Sequence, residues 1–244
     1  MPAGHSESWQ DPPLALSLAA GDLHVWRIFL DEWLPRLETL RAALSPEETA
    51  RAGRFMFAAD QASFIVARAA LRHVLGRYLG RTPGEVSIET GERGKPFVSN
   101  HINSNGFTFN LSHSHGLCLI AVGRGRLVGV DVERVRADVR PLELAARFFA
   151  PEETRALEEL PEDARTAGFF RCWTRKEAYV KARGEGLQIP LDQFSVTIDP
   201  ERTLVLTSED ADRWWIASLS PGPEYAGAVV MERPVGSVSL WNLI

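Results

Sequence analysis

Gly129-Val130-Asp131-Val132-Glu133 sets two carboxylates two residues apart within a run of valines. On a strand, alternate side chains share a face, so Asp131 and Glu133 point together while Val128, Val130 and Val132 point the other way. Adjacent carboxylates repel unless a cation lies between them, and hard oxygen donors suit Mg²⁺, which is held by one or two carboxylates plus substrate phosphates. A solvent-facing strand edge has the same pattern, so the pair alone leaves both readings open. The stretch Trp173-Thr174-Arg175-Lys176-Glu177-Ala178-Tyr179-Val180-Lys181 carries a second set. Helical spacing puts Trp173, Glu177 and Lys181 on one face, with Glu177 and Lys181 in the favoured ion-pair order. Phe169, Phe170, Trp173 and Tyr179 imply that this helix is substantially buried. A partly buried Glu177 beside a lysine could serve as a third metal ligand, a general base, or both.

Two further segments suit anions. Gly94-Lys95-Pro96 reads as a stiff turn holding an exposed ammonium toward a phosphate. In Asn110-Leu111-Ser112-His113-Ser114, the hydroxyl of Ser112 and the imidazole of His113 follow a predicted strand end, where free backbone N–H groups can gather around an anion. His113 also fits a satisfied structural histidine. His113, His115 and Cys118 have no standard zinc spacing and lack a fourth ligand. Dinucleotide, P-loop and nucleophile-elbow signatures are absent. Cys118 and Cys172 sit in apolar or aromatic surroundings and read as packing residues.

The basic residues are unevenly chosen. Of 27, 24 are Arg, and the three lysines are Lys95, Lys176 and Lys181. An ammonium is a compact point charge and a guanidinium a planar fork, so lysine kept at these places suggests that an ammonium is needed there.

The elements that must position these groups follow from the pattern. Residues 31–43 and 46–79 read as helical, the second opened by Ser45-Pro46-Glu47-Glu48, with a Ser N-cap, Pro at the first position and Glu at the third. Strands are expected at 86–89, 107–111, 117–122 and 127–132, with a turn at 91–96. Pro151-Glu152-Glu153-Thr154 echoes Pro46-Glu47-Glu48-Thr49 at a shift of 105 residues. A helix over 166–183 follows, ended by Gly184-Glu185-Gly186-Leu187, then strands near 193–198, 203–207, 214–219 and 226–231. Two α/β halves of similar plan are expected, 1–124 and 125–244.

Length and composition set the limits. The chain has 244 residues, 45% hydrophobic and 24% charged, ordinary for a soluble globular protein. Its net charge of −5 falls entirely in the second half, and neither half offers a basic face for nucleic acid. No apolar run nears the ~20 residues of a membrane span. Met1 to Ala20 lacks the features of a signal peptide, and two cysteines make no disulfide framework, so a cytoplasmic protein is expected.

In this order the segments resemble the surfactin-synthetase-activating class of 4′-phosphopantetheinyl transferases, and Arg51-Ala52-Gly53-Arg54-Phe55 resembles it less specifically. The resemblance implies a single-chain monomer with two similar α/β halves in pseudo-twofold arrangement and coenzyme A in the cleft between them. It implies Mg²⁺ held by Asp131, Glu133 and Glu177. Lys95, Ser112 and His113 would contact the nucleotide, assisted by Arg51 and Arg93. Lys176 is counted with the coenzyme-binding residues, and Lys181 would reach the pyrophosphate. Glu177 and Lys181 would be catalytic. The expected reaction moves 4′-phosphopantetheine from coenzyme A to a serine of an apo acyl or peptidyl carrier protein, releasing 3′,5′-ADP. Glu48 stands where the class often has an extra base. The rival readings are a Mg²⁺-dependent nucleotide pyrophosphohydrolase and a non-catalytic partner of coenzyme A or of a carrier protein.

Overall fold

A computed structural model of the chain describes residues 8–184, 189–198 and 206–244. The first half opens with strand β1 (Leu23–Phe29) and short helices α1 (Leu30–Trp33), α2 (Leu37–Arg41) and α3 (Pro46–Ala52). Helix α4 (Ala58–Leu79) and strands β2 (Ile88–Thr90), β3 (Pro96–Val98), β4 (Phe107–Ser114) and β5 (Leu117–Arg124) complete it. The second half runs β6 (Val128–Arg134), α5 (Pro141–Phe148), α6 (Pro151–Glu158), α7 (Glu162–Arg183), β7 (Ser195–Val196) and β8 (Leu206–Thr207). It ends with β9 (Trp214–Leu219), β10 (Tyr225–Glu232) and β11 (Val238–Asn242).

The main elements of the two halves correspond, with β11 the extra strand. Strands β1 and β6 each have seven residues, β5 and β10 eight, and the long helices α4 and α7 twenty-two. Both long helices stop at a glycine in the left-handed region, Gly80 (φ 63°) and Gly184 (φ 69°), a conformation that costs glycine little. One sheet has the order β11-β1-β5-β4 and the other β6-β10-β9. The last strand crosses back to pair in parallel with β1. Valines and leucines from β1, β5, β6, β10 and β11 form a central apolar layer, while α4 and α7 each build a separate core on the opposite side of their sheets. No helix among the described residues is long and apolar enough to cross a membrane.

Several boundaries differ from expectation. Strands β1 and β11 and helix α5 were not expected from the sequence. The helix expected over 46–79 breaks at residues 53–57, where Phe57 is extended ahead of α4. Residues 185–187 of the expected helix-ending segment and 203–205 of an expected strand lie outside the described residues.

Candidate functional site

The two halves meet where β4 lies beside β6, and polar side chains link them. Alternate residues of β4 divide the labour: Phe107, Phe109 and Leu111 enter the α4 core, while the even-numbered residues turn to β6. Thr108 Oγ1 donates to the Arg126 carbonyl (2.5 Å), and Asn110 Oδ1 accepts from the Val130 N–H (2.9 Å). Ser112 Oγ donates to Asp131 Oδ1 (2.8 Å), and Ser114 Oγ to Glu133 Oε2 (2.8 Å). Thus the two carboxylates of β6 are held by two serines of the other half. Asn110 and Ser114 were not singled out from the sequence, although four polar residues at period two inside an apolar strand are a legible signal.

Helix α7 brings the third carboxylate. Gly129 allows this: a Cβ there would overlap the Ala178 carbonyl oxygen and the Ala182 amide nitrogen and stand 2.9 Å from the Ala182 Cα. With hydrogen in its place the helix lies directly on β6, and Lys181 Nζ reaches Asp131 Oδ1 (2.5 Å) and Ser112 Oγ (2.9 Å). The helical pairing expected between Glu177 and Lys181 gives way to this helix-to-strand bond, which offers the ammonium a more deeply buried carboxylate.

The electrostatics mark the three carboxyls as one group. Burial raises the pKa of Asp131, opposed by Lys181 and the Ser112 hydrogen bond. Burial also raises Glu133, and the Asp131 charge adds to it. Glu177 is raised by burial, then by Asp131 and Glu133. Asp131 Oδ2 is buried with no hydrogen-bond partner. Among the described residues, no three His, Cys, Asp or Glu side chains gather closely enough to hold a metal ion as they stand. The donor chemistry nonetheless fits Mg²⁺: three hard carboxylates in one neighbourhood, one with a buried oxygen left without a partner.

A cationic margin borders this group. His113 is exposed, and its pKa is lowered by partial desolvation, then by Lys181 and Arg51. Arg51 lies over the Phe64 ring (5.3 Å). Arg93 is exposed on the turn before Lys95, with no polar partner among the described residues. Strand β4 runs on through Ser114, so Ser112 and His113 sit within the β4–β5 ladder rather than beside the free N–H groups expected at a strand end. His115 occupies the two-residue turn after it at φ 44°, its carbonyl accepting from Tyr225 Oη (2.5 Å). An apolar slot of about 180 Å³, lined by Leu144, Phe148, Phe169, Phe170 and Trp173, opens beside Glu133.

Two lysines depart from expectation. Lys176 is fully buried, ion-paired to Glu153 (2.7 Å) and bonded to the carbonyls of Leu191 (2.7 Å) and Phe194 (2.5 Å). Its ammonium is enclosed in the α7 core and cannot meet a coenzyme, which corrects its assignment as a binding residue. Lys95 is not an exposed corner charge. Its Nζ is turned inward to three backbone carbonyls.

Residues 127–230 match the model of the 4′-phosphopantetheinyl transferase superfamily, and residues 26–124 match that of the 4′-phosphopantetheinyl transferase N-terminal region. The chain is 38% identical to the 4′-phosphopantetheinyl transferase HetI of a Nostoc species, covering 92% of this chain and 93% of the relative. It is 32% identical to the transferase psf-1 of Bacillus pumilus, over 83% and 84% of the two chains. It is 28% identical to the transferase Sfp of Bacillus subtilis, over 87% and 93% of the two chains.

Proposed function

The chain belongs to the 4′-phosphopantetheinyl transferase superfamily, and on that premise we propose that Asp131, Glu133, Glu177 and Lys181 carry transfer of 4′-phosphopantetheine from coenzyme A to a carrier-protein serine. The observation that carries this reading is the buried Asp131 carboxylate, which has one oxygen on Lys181 and Ser112 and the other without a partner.

Asp131, Glu133 and Glu177 would hold Mg²⁺, which when bound supplies positive charge to the pyrophosphate oxygens. The chain's own residues supply the rest. Arg51 and His113 would border the nucleotide's 3′-phosphate, and an anion there offsets the burial and the neighbouring Lys181 and Arg51 charges that together lower the His113 pKa. The apolar lining of the slot beside Glu133 suits the methylene-rich arm leading away from the β-phosphate. Glu177 takes the proton of the attacking serine, and its raised pKa makes it a stronger base than an ordinary carboxylate. The serine oxygen bonds to the β-phosphorus as the bridge to the α-phosphate breaks, and 3′,5′-ADP leaves. Lys181 neutralises charge developing on that leaving phosphate. Two free, buried cysteines fit a protein working in the reducing cytoplasm.

The test incubates the protein with coenzyme A, Mg²⁺ and a panel of apo acyl and peptidyl carrier proteins and follows intact carrier mass. The expected result is a gain of one phosphopantetheine. A folded protein that shifts none of the carriers, or that releases nucleotide without one, overturns the reading.

A further inference from the structure

The chain's three lysines occupy three different sites. Lys181 has two polar partners among the described residues, Asp131 and Ser112, leaving an N–H for a substrate phosphate. Lys95 has none to spare: Nζ donates to the carbonyls of Val128 (3.2 Å), Lys181 (2.6 Å) and Ala182 (3.1 Å). An ammonium has three N–H donors, and here three carbonyls use them all.

The acceptors lie at one mechanical junction. Val128 opens β6, the strand of Asp131 and Glu133, while Lys181 and Ala182 lie in the last turn of α7. The final carbonyls of a helix have no partner within it and carry the negative end of the helix dipole, so a cation there satisfies both needs. The Lys95 stem runs along the terminal glycine, where a Cβ on Gly184 would stand 3.2 Å from Lys95 Cδ. Lys95 itself belongs to the first half, so its side chain crosses into the second. A planar guanidinium cannot converge on three carbonyls around one point, which accounts for a lysine in a chain that otherwise uses arginine. Burial lowers its pKa to about 8, as an enclosed ammonium requires.

We propose that Lys95 is a positioning residue that pins the last turn of α7 to the start of β6 and so sets the Lys181 ammonium against Asp131 and Ser112, without itself contacting coenzyme A. The inference rests on the reading of Lys181 as the phosphate-binding lysine.

The experiment compares Lys95→Met and Lys95→Arg with the wild type. In the free protein, hydrogen exchange of the amides from Val180 to Gly184 is expected to accelerate about tenfold or more, while the end of α4 is unchanged. Transfer should fall about tenfold to a hundredfold, the scale of a misplaced catalytic group, and by the same factor with coenzyme A and with 3′-dephospho-coenzyme A. In a Lys181→Met background the added loss should shrink to within about twofold. Unchanged exchange, a loss confined to coenzyme A, or full additivity with Lys181→Met overturns the proposal. Should Lys95→Met fail to fold, Lys95→Arg, which retains the charge, carries all three measurements. A wild type without transfer activity would sink the assigned function, and the exchange at the helix end would still decide whether Lys95 pins it.

Discussion

The same unit is used twice, and it is open in one copy and filled in the other. Strands β1 and β6 align at a shift of 105 residues and helices α4 and α7 at 104, the step from the capped helix to the long one being a residue shorter in the second half. In this register His24 matches Gly129, Trp26 matches Asp131, and Arg77 matches Lys181. The pairing of strand to helix survives with different chemistry: Arg77 lies over the Trp26 ring (5.1 Å), where Lys181 bonds Asp131. Tyr78 Oη accepts from Trp26 Nε1 (2.9 Å) and lies 2.8 Å from His24 Nδ1, filling the space that α7 occupies against Gly129. The supports are shared. Glu48 and Glu153 are the third residues of their capped helices, both buried, and both pair with the matching position of the long helix, Arg72 (2.6 Å) and Lys176 (2.7 Å). Scaffolding is therefore duplicated, while the polar pocket exists only where a glycine lets the helix close on the strand.

The largest break in the comparison comes from the strand residue itself. Asp131→Asn removes the charge that organises Lys181 and should lower transfer by about a thousandfold, with the circular dichroism spectrum intact. Trp26→Phe at the matching position should keep transfer within about twofold of wild type, because no substrate reaches it. Equal losses would show that the first half is not a filled copy.

The shared support gives the next effect. Lys176→Met strands Glu153 in a core where Val196 N–H (2.7 Å) and Ala150 N–H (2.9 Å) are its remaining strong donors. Breaking a fully buried pair costs about 3–5 kcal/mol, read as a lower urea midpoint at constant m. The KM for coenzyme A should stay at the wild-type value. A large rise in KM in a protein of normal stability would return Lys176 to the binding site.

Which parts of this were legible follows from where the partners lie. The carboxylates of β6 and the Glu177–Lys181 face were readable because strand and helix periods put them on common faces within one element. The placements of Lys176 and Lys95 were not legible because their acceptors are backbone carbonyls and, for Lys176, a glutamate on another helix, and neither leaves a local mark in the sequence. Strand β1, Leu-His-Val-Trp-Arg-Ile-Phe, is covered on both sides and so shows little alternation. Strand β11 pairs with a strand more than two hundred residues earlier in the chain, a relation no local pattern carries. The echo of Pro-Glu-Glu was readable, and its meaning, a buried capping glutamate braced by the long helix, needed the packing.

The filled copy should show in acid. Burial lowers the His24 pKa from 6.5 to about 4, opposed by Asp22. Below pH 6.5 the unfolded chain takes up a proton that the folded chain refuses until about pH 4. Stability therefore falls as pH drops through that window, by about 3 kcal/mol in all. His24→Asn should flatten this part of the stability profile in urea titrations from pH 7 to 4. An unchanged slope would mean that His24 is protonated in the folded state and that the first-half network is not closed as described.

The smallest expected change in stability sharpens the comparison most. Gly129→Ala adds one methyl group, yet its nearest neighbours are the backbone of Ala178 and Ala182, which cannot swing aside as a side chain could. The helix must lift from the strand, at about 2 kcal/mol for an overpacked contact. Lifting carries Glu177 and Lys181 away from Asp131 together, so transfer should fall by far more than stability does, about a hundredfold for a displacement near 1 Å. Trimming the facing side chain cannot restore the room. Ala178 contacts Gly129 through its carbonyl, so Ala178→Gly frees no space there and should not rescue transfer. If Gly129→Ala leaves the rate unchanged, helix and strand tolerate a wider spacing, and the open half would owe its site to Asp131 alone.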